Sequence, residues 1–252
     1  MAMAQPVLIA CSHGTSNPEG RECIDRLRQQ IAALRPGLEV LEAYVDVQEP
    51  ALPDVVDALP DGTAAVVVPL LLSVGYHVRV DIARAVASRT GIRAAAPLGP
   101  DPRLAELLRE RLQGVPEDWG IVLAAAGSSD PAAAESVEQL AGSLRRLLPQ
   151  RILAGYGASA QPSVPDAVER LKAQGAAKVA IASYLLAPGF FHDQLAKAGA
   201  DLVTAPLLPA EVLAELALER YDQALATHAG PAEGKENGKE NARGDELFPP
   251  VT

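Results

Sequence analysis

Short apolar runs alternate with longer amphipathic stretches along the first half of the chain. Residues 7–11, 39–45, 64–72 and 92–96 are runs rich in Val, Leu, Ile and Ala, of the length that buried strands have. Between and after them, residues 18–34, 51–59, 77–90 and 101–113 read as helices with one apolar face. Asn17 followed by Pro18 marks a helix start. The asparagine side chain can cap the first turn, and proline lacks an N–H that this turn leaves unbonded anyway. Strands alternating with helices of about ten residues predict βαβ units, a parallel sheet and therefore an α/β fold. In open sheets of this kind ligands bind at the carboxyl edge of the strands. The loops that follow the first three strands are accordingly where chemistry is expected.

After a linker at 114–118 the pattern starts again. Leu123-Ala-Ala-Ala-Gly-Ser-Ser-Asp-Pro131 lies on the segment from Ala10 to Pro18, with Gly127 on Gly14, Ser129 on Ser16 and Pro131 on Pro18. Gln161-Pro-Ser-Val-Pro-Asp-Ala-Val168 repeats Glu49-Pro-Ala-Leu-Pro-Asp-Val-Val56, and Leu185-Leu-Ala-Pro-Gly189 repeats Leu71-Leu-Ser-Val-Gly75. Ala205-Pro-Leu-Leu-Pro209 repeats Ala96-Pro-Leu-Gly-Pro100. Matches in constant order at a nearly constant offset imply a duplication, with domains at 1–114 and 119–225. From residue 226 the chain turns charged, Gly-rich and poor in apolar residues, and a disordered tail over 226–252 is expected. Its histidine, His228, is too sparse for a metal-binding tract.

The two copies differ where the strands end. Ala126 stands in place of His13, Ala158 in place of Asp46, and Phe191 in place of His77. Taken singly, a histidine at a strand end is an ordinary loop residue, and Asp46 could cap the helix that begins near Pro50. Taken together, and all lost from the second copy, the three read as a site in the first domain. Two imidazoles and a carboxylate suit a divalent first-row metal, and neutral imidazole also accepts a proton. Arg21 and Arg26 follow His13 on its helix, and Arg79 and Arg84 follow His77. Guanidinium groups there would hold carboxylates, although Arg26 and Arg84 read as a solvated face. The amides of Gly14 and Thr15, at a helix start, are placed to receive an anion. His192 lies one place beyond the counterpart of His77 and is positioned to approach the cleft from the other domain.

Bulk properties narrow the partners. The chain has 252 residues, is 48% hydrophobic but only 4% aromatic, and carries a net charge of −10. The core must therefore be aliphatic, and an acidic total argues against nucleic acid as a partner. It leaves room for a small anionic ligand held by local arginines. No apolar run is long enough to span a membrane, the N-terminus has no signal-peptide pattern, and a cytoplasmic protein is expected. Cys11 and Cys23 form no CxxC and are too few for an ordinary iron–sulfur cluster.

Ser12-His-Gly-Thr15, Tyr44-Val-Asp-Val-Gln-Glu-Pro50 and Val68-Pro-Leu-Leu-Leu-Ser-Val-Gly-Tyr-His-Val-Arg-Val-Asp81 resemble the motifs of the sirohydrochlorin chelatases. These are the class II, ATP-independent tetrapyrrole chelatases. The resemblance spans about residues 5–220 and implies two duplicated flavodoxin-like domains with a cleft for the macrocycle. It implies insertion of Fe2+ into sirohydrochlorin, giving siroheme, with Co2+ insertion for cobalamin precursors as the alternative. No permanently bound cofactor is implied. His13 and His77 match the metal-binding and proton-accepting histidines, and Asp46 stands where many members carry glutamate. The same motifs bring Ser12, Gly14, Thr15, Arg21, Gly75, Tyr76 and Arg79 to the octacarboxylate substrate. Two other readings are a histidine phosphatase, suggested by His13 after a strand, and a non-catalytic metal or tetrapyrrole carrier. A self-contained monomer is expected, its halves standing in for the subunits of a dimer.

Overall fold

The computed structural model describes residues 5–73 and 75–227, the side chains of Tyr76 and His77 excepted. The first half runs β1 (Val7–Ser12), α1 (Pro18–Leu34), β2 (Val40–Tyr44), α2 (Leu52–Ala58), β3 (Ala65–Pro69), α3 (Tyr76–Ala87), β4 (Ile92–Ala94) and α4 (Pro102–Arg111). The second runs β5 (Gly120–Ala125), α5 (Pro131–Leu147), β6 (Arg151–Tyr156), α6 (Val164–Ala173), β7 (Val179–Tyr184), α7 (Phe190–Leu195), β8 (Leu202–Val203) and α8 (Glu211–Ala226). Each half has a four-stranded parallel sheet, ordered β2-β1-β3-β4 and β6-β5-β7-β8. The central strand, β1 or β5, has neighbours on both sides from chain crossings of opposite direction. Its carboxyl end is the topological switch point.

The expected α/β class is the observed one, and the expected bounds shift only at the ends. The third strand stops at Pro69 instead of residue 72, since proline offers no N–H to extend a ladder. The third helix starts one residue early, at Tyr76, and ends at Ala87, three short of the expected residue 90. Gly91, at φ 87°, then turns the chain into β4. The helix α8 reaches Ala226, the first residue assigned to the tail. The tail from His228 onward lies outside the described residues.

Strand alternation explains the layers. In β1, Val7, Ile9 and Cys11 face an outer core with Leu52 and Val56 of α2 and Ile82 of α3. Leu8 and Ala10 face the opposite way, into a core that both halves share. The second sheet repeats this, with Val122 and Ala124 outward and Ile121, Leu123 and Ala125 inward. Into the shared core α1 presents Ile24, Leu27 and Ile31, and each such side chain, fully buried, contributes about 1.5–3 kcal/mol. Helix α1 packs against α8, and α4 against α5, so each inner helix meets one from the other half. These pairings are related by a pseudo-two-fold axis. Among the described residues, no helix is long and apolar enough to cross a membrane.

Polar links pin the two halves. Arg103 makes paired bonds of 2.7 and 2.6 Å to Glu219 and also grips Asp101, while Arg35 makes paired bonds to Asp222. Arg220, only 6% exposed, donates to Asp101 and to the carbonyls of Pro97 and Leu98. Tyr184 donates its hydroxyl to the Leu72 carbonyl. Burial works to raise the Asp101 carboxyl, but the Arg103 hydrogen bonds and the Arg220 charge outweigh it and hold it below its ordinary value. The Glu219 carboxyl is also lowered, chiefly by its hydrogen bond from Arg103.

Carboxyls lowered in the folded state stabilise it above their unfolded value of about 4, and that contribution is lost as pH falls through the folded value. Asp101→Asn keeps a helix-capping side chain at α4 but leaves the buried Arg220 with neutral acceptors only, the carbonyls of Pro97 and Leu98 and the Gln223 amide. It is expected to cost about 3 kcal/mol at pH 7 by urea denaturation, with the difference from wild type shrinking below about pH 4.

Candidate functional site

The carboxyl ends of both sheets open into one cleft of about 660 Å3 between the halves. Loops from opposite halves close its ends in matching pairs. A Cβ on Gly20 in α1 would overlap the Pro188 carbonyl, and a Cβ on Gly75 would lie 2.7 Å from Ser128 Oγ. Only glycine lets these loops approach so closely. From the first half the cleft is lined by Ser12, His13, Gly14, Thr15, Ser16 and Gln48. From the second, the lining includes Ala125, Ala126, Leu185, Leu186, Phe190 and Phe191.

His13 follows β1 directly and exposes its side chain in this cleft. The backbone around it is held by two features. The His13 carbonyl accepts the Asp46 N–H at 3.0 Å, and Gly14 adopts φ 95° with the Asp46 carbonyl where a Cβ would be. Val47 takes the left-handed φ of 63° while Gln48 N–H donates back to the Asp46 carbonyl at 2.7 Å. For a β-branched residue this conformation is strained, at about 1–3 kcal/mol. The second half repeats the whole device. Ala158 N–H donates to the Ala126 carbonyl, Gly127 has φ 90°, and Ser159 at φ 58° spans the bond from Ala160 N–H to Ala158. The pairing of His13 with Ala126 and of Asp46 with Ala158 therefore holds bond for bond. Their backbone roles are shared, and only their side chains are lost from the second copy.

The other expected residues divide. Gly75 lines the cleft, and Ser12 lies on its floor, 4% exposed, its Oγ without a hydrogen-bond partner among the described residues. A buried hydroxyl left unpaired costs about 1–3 kcal/mol, so pairing with a water or a ligand group at this position is favourable. The Thr15 amide, expected to receive an anion, already donates to Gln48 Oε1 at 2.8 Å. Arg21, exposed, uses its Nε to hold the Thr15 carbonyl and is not among the cleft-lining residues. The Asp46 carboxylate accepts the Val47 N–H at 2.8 Å and is likewise not among them. Arg79 reaches across to Asp130, at 3.8 Å. Arg84 pairs with Asp81 and Arg26 with Glu22, both on exposed helix faces, as a solvated role would have it. His77 is the second residue of α3, near the cleft's end; its side chain and that of Tyr76 lie outside the described residues.

His192 lines the cleft from the second half, with Nε2 at 3.1 Å from the Thr204 carbonyl. That contact makes Nε2 the protonated nitrogen and Nδ1 the acceptor. Burial pushes the Cys11 thiol up to about 12, so it offers no thiolate ligand. Among the described residues no three His, Cys, Asp or Glu side chains gather closely enough to hold a metal. Sequence reasoning missed Gln48 and the apolar lining from the second half. Gln48 lay inside a motif already singled out, but nothing in the sequence said that it would brace Thr15.

The CbiX family model matches residues 7–115 and again 120–224. The chain belongs to the CbiX family. The double match coincides with the two sheets and their helices. Among characterised relatives, the sirohydrochlorin ferrochelatase of Priestia megaterium is 25% identical over 206 residues, covering 75% of this chain and 76% of that protein. The sirohydrochlorin cobaltochelatase of Sulfurisphaera tokodaii is 29% identical over 100 residues, 38% of this chain and 83% of that protein. In fold, the CbiX member resembles SirB from Bacillus subtilis with Fe3+. Its TM-score is 0.75 at 20% identity, over 88% of this chain and 96% of that one.

Alanine at Gly14 would meet both the Asp46 carbonyl and an unfavourable φ, and alanine at Gly127 would meet the same pair of obstacles. Each substitution is expected to destabilise the protein by about 2 kcal/mol or more, read from urea denaturation midpoints. Gly37→Ala has the same positive φ but open space around it, and should cost less.

Proposed function

We propose that this CbiX-family chain is an ATP-independent sirohydrochlorin chelatase, inserting a divalent metal into the macrocycle as its substrate ion. The observation that carries the reading is a cleft at the switch points of two fused sheets, with His13 exposed on one wall and an unsatisfied Ser12 hydroxyl on its floor. Relatives named for ferrous and for cobalt insertion support the reaction class. We infer Fe2+ as the metal, with Co2+ as the alternative, since an N/O site prefers neither strongly.

Insertion has to strip water from the ion and remove two pyrrole protons, and it needs no nucleophile, nucleotide or electron carrier. His13 binds the ion through one nitrogen and, once the ion has passed to the macrocycle, accepts a proton there. His77, starting α3 beside the same cleft, supplies the second imidazole. Asp46 holds the loop through its backbone, and its carboxylate is the nearest of the three to a purely structural role, since it already accepts an amide. The domain at 1–114 carries this chemistry, and the domain at 119–225 completes the enclosure. The chain acts as a monomer, its halves occupying the places of two subunits. Arg79, at the cleft's end, and Arg21, on α1, offer charge to the substrate's peripheral carboxylates.

The test is anaerobic insertion of Fe2+ and of Co2+ into sirohydrochlorin, followed by the macrocycle's visible spectrum. His13→Ala and His77→Ala are each expected to lower turnover by about 100-fold or more, with the denaturation midpoint unchanged. Wild-type turnover in both variants would overturn the site. Binding of metal and macrocycle without turnover in the wild type would make the chain a carrier.

A further inference from the structure

The second copy lost its polar strand-end residues, yet it remains half of the cleft. Its exposed surface indicates what replaced them. Of the large apolar side chains on the described surface, the two most exposed are Phe190, at 70%, and Val47, at 54%. Both line the cleft, one from each half. The other exposed large apolar side chains among the described residues, Leu34 and Leu202, are less exposed and lie outside the cleft, so the two most exposed share one opening.

Phe190 is also firmly mounted. It opens α7 directly after Gly189, which lies within ordinary contact distance of Thr15 of the opposite half. The Phe191 ring backs it edge-on, with centroids 5.5 Å apart and planes at 75°. Phe191 in turn packs on Gly157, where a Cβ would stand 2.8 Å from its Cδ1. One ring is thus pinned by the sheet end, and the other is presented to the cleft. Around them the second half adds Leu185 and Leu186 together with Ser128 and His192, while the first half carries His13 and Gln48 together with Leu70 and Leu72.

We propose that Phe190, with Val47 opposite, forms an apolar clamp that binds the flat face of the tetrapyrrole and turns its pyrrole nitrogens toward His13. This rests on the chelatase reading and deepens it. A conjugated macrocycle has apolar faces and an anionic rim, so an exposed aromatic ring selects a face, which stacking rewards. The carboxylates are then left to the cleft's ends and to solvent. The second copy is in this way the binding half, and the first copy the reacting half.

The experiment titrates metal-free sirohydrochlorin into the full-length protein by visible absorbance, then measures steady-state insertion of Co2+. Phe190→Ala is expected to raise Kd and KM for the macrocycle about tenfold, leaving kcat within about twofold and KM for Co2+ unchanged. Phe190→Tyr and Phe190→Trp restore the binding, because each keeps a ring. Val47→Asn, which tolerates the left-handed backbone, shows a smaller rise in the same Kd. Unchanged macrocycle binding in Phe190→Ala, or a loss confined to kcat, overturns the clamp while leaving the chelatase intact. If the wild type inserts no metal and binds no sirohydrochlorin, the chelatase reading falls first and the clamp falls with it.

Discussion

Two parallel sheets have four faces to bury, and this chain buries two of them against each other through one shared layer of helices. Because α1 lies on α8 and α4 on α5, neither half can shift without exposing the core that contains Leu8, Leu27, Leu123 and Leu144. That constraint sets everything at the site. It brings both carboxyl edges to the same opening, and it presses the loop containing Pro188 onto Gly20 and the loop containing Ser128 onto Gly75. The ion pairs of Arg103, Arg35 and Arg220 then select one arrangement among those the apolar layer would permit. Such pairs add more to the uniqueness of the docking than to its total stability.

Much of this was legible in the residues because it depends on local chemistry. The Asn17-Pro18 cap and the spacing of Ile24, Leu27 and Ile31 determine α1, whose observed span is the expected one. The recurrence of glycine and proline at constant offset marked the duplication, since those residues serve backbone geometry that two like folds must share. Gly14 and Gly127 show this at atomic scale, each with a carbonyl in place of its missing side chain.

What was not legible depends on contacts between distant segments. Thr15 looked like an open amide at a helix start, but Gln48, 33 residues away, had already claimed it. Arg21 and Arg79 looked like free substrate cations; the first braces a loop carbonyl and the second lies across from Asp130. In each case the residue type suggested a group open to a ligand, and the fold gives it a protein partner as well. The apolar lining was hidden for another reason: an apolar residue type does not say whether its side chain meets a core or a cleft, as Leu185 and Phe190 show.

Comparing the copies then separates support from chemistry within a single molecule. The three-residue turn around Val47 is kept around Ser159, so the turn itself belongs to the scaffold. What differs is only what each turn and strand end presents to the cleft. A symmetric pair of polar walls would have to strip water from two sets of side chains whenever a flat apolar ligand entered. Apolar side chains from both halves, Leu70 and Leu72 on one side and Leu185 and Leu186 on the other, lower that desolvation cost. Replacement of His13, Asp46 and His77 by Ala126, Ala158 and Phe191 therefore leaves the shared turn geometry intact, so the two copies keep one scaffold and differ in the side-chain chemistry at the ends of their strands.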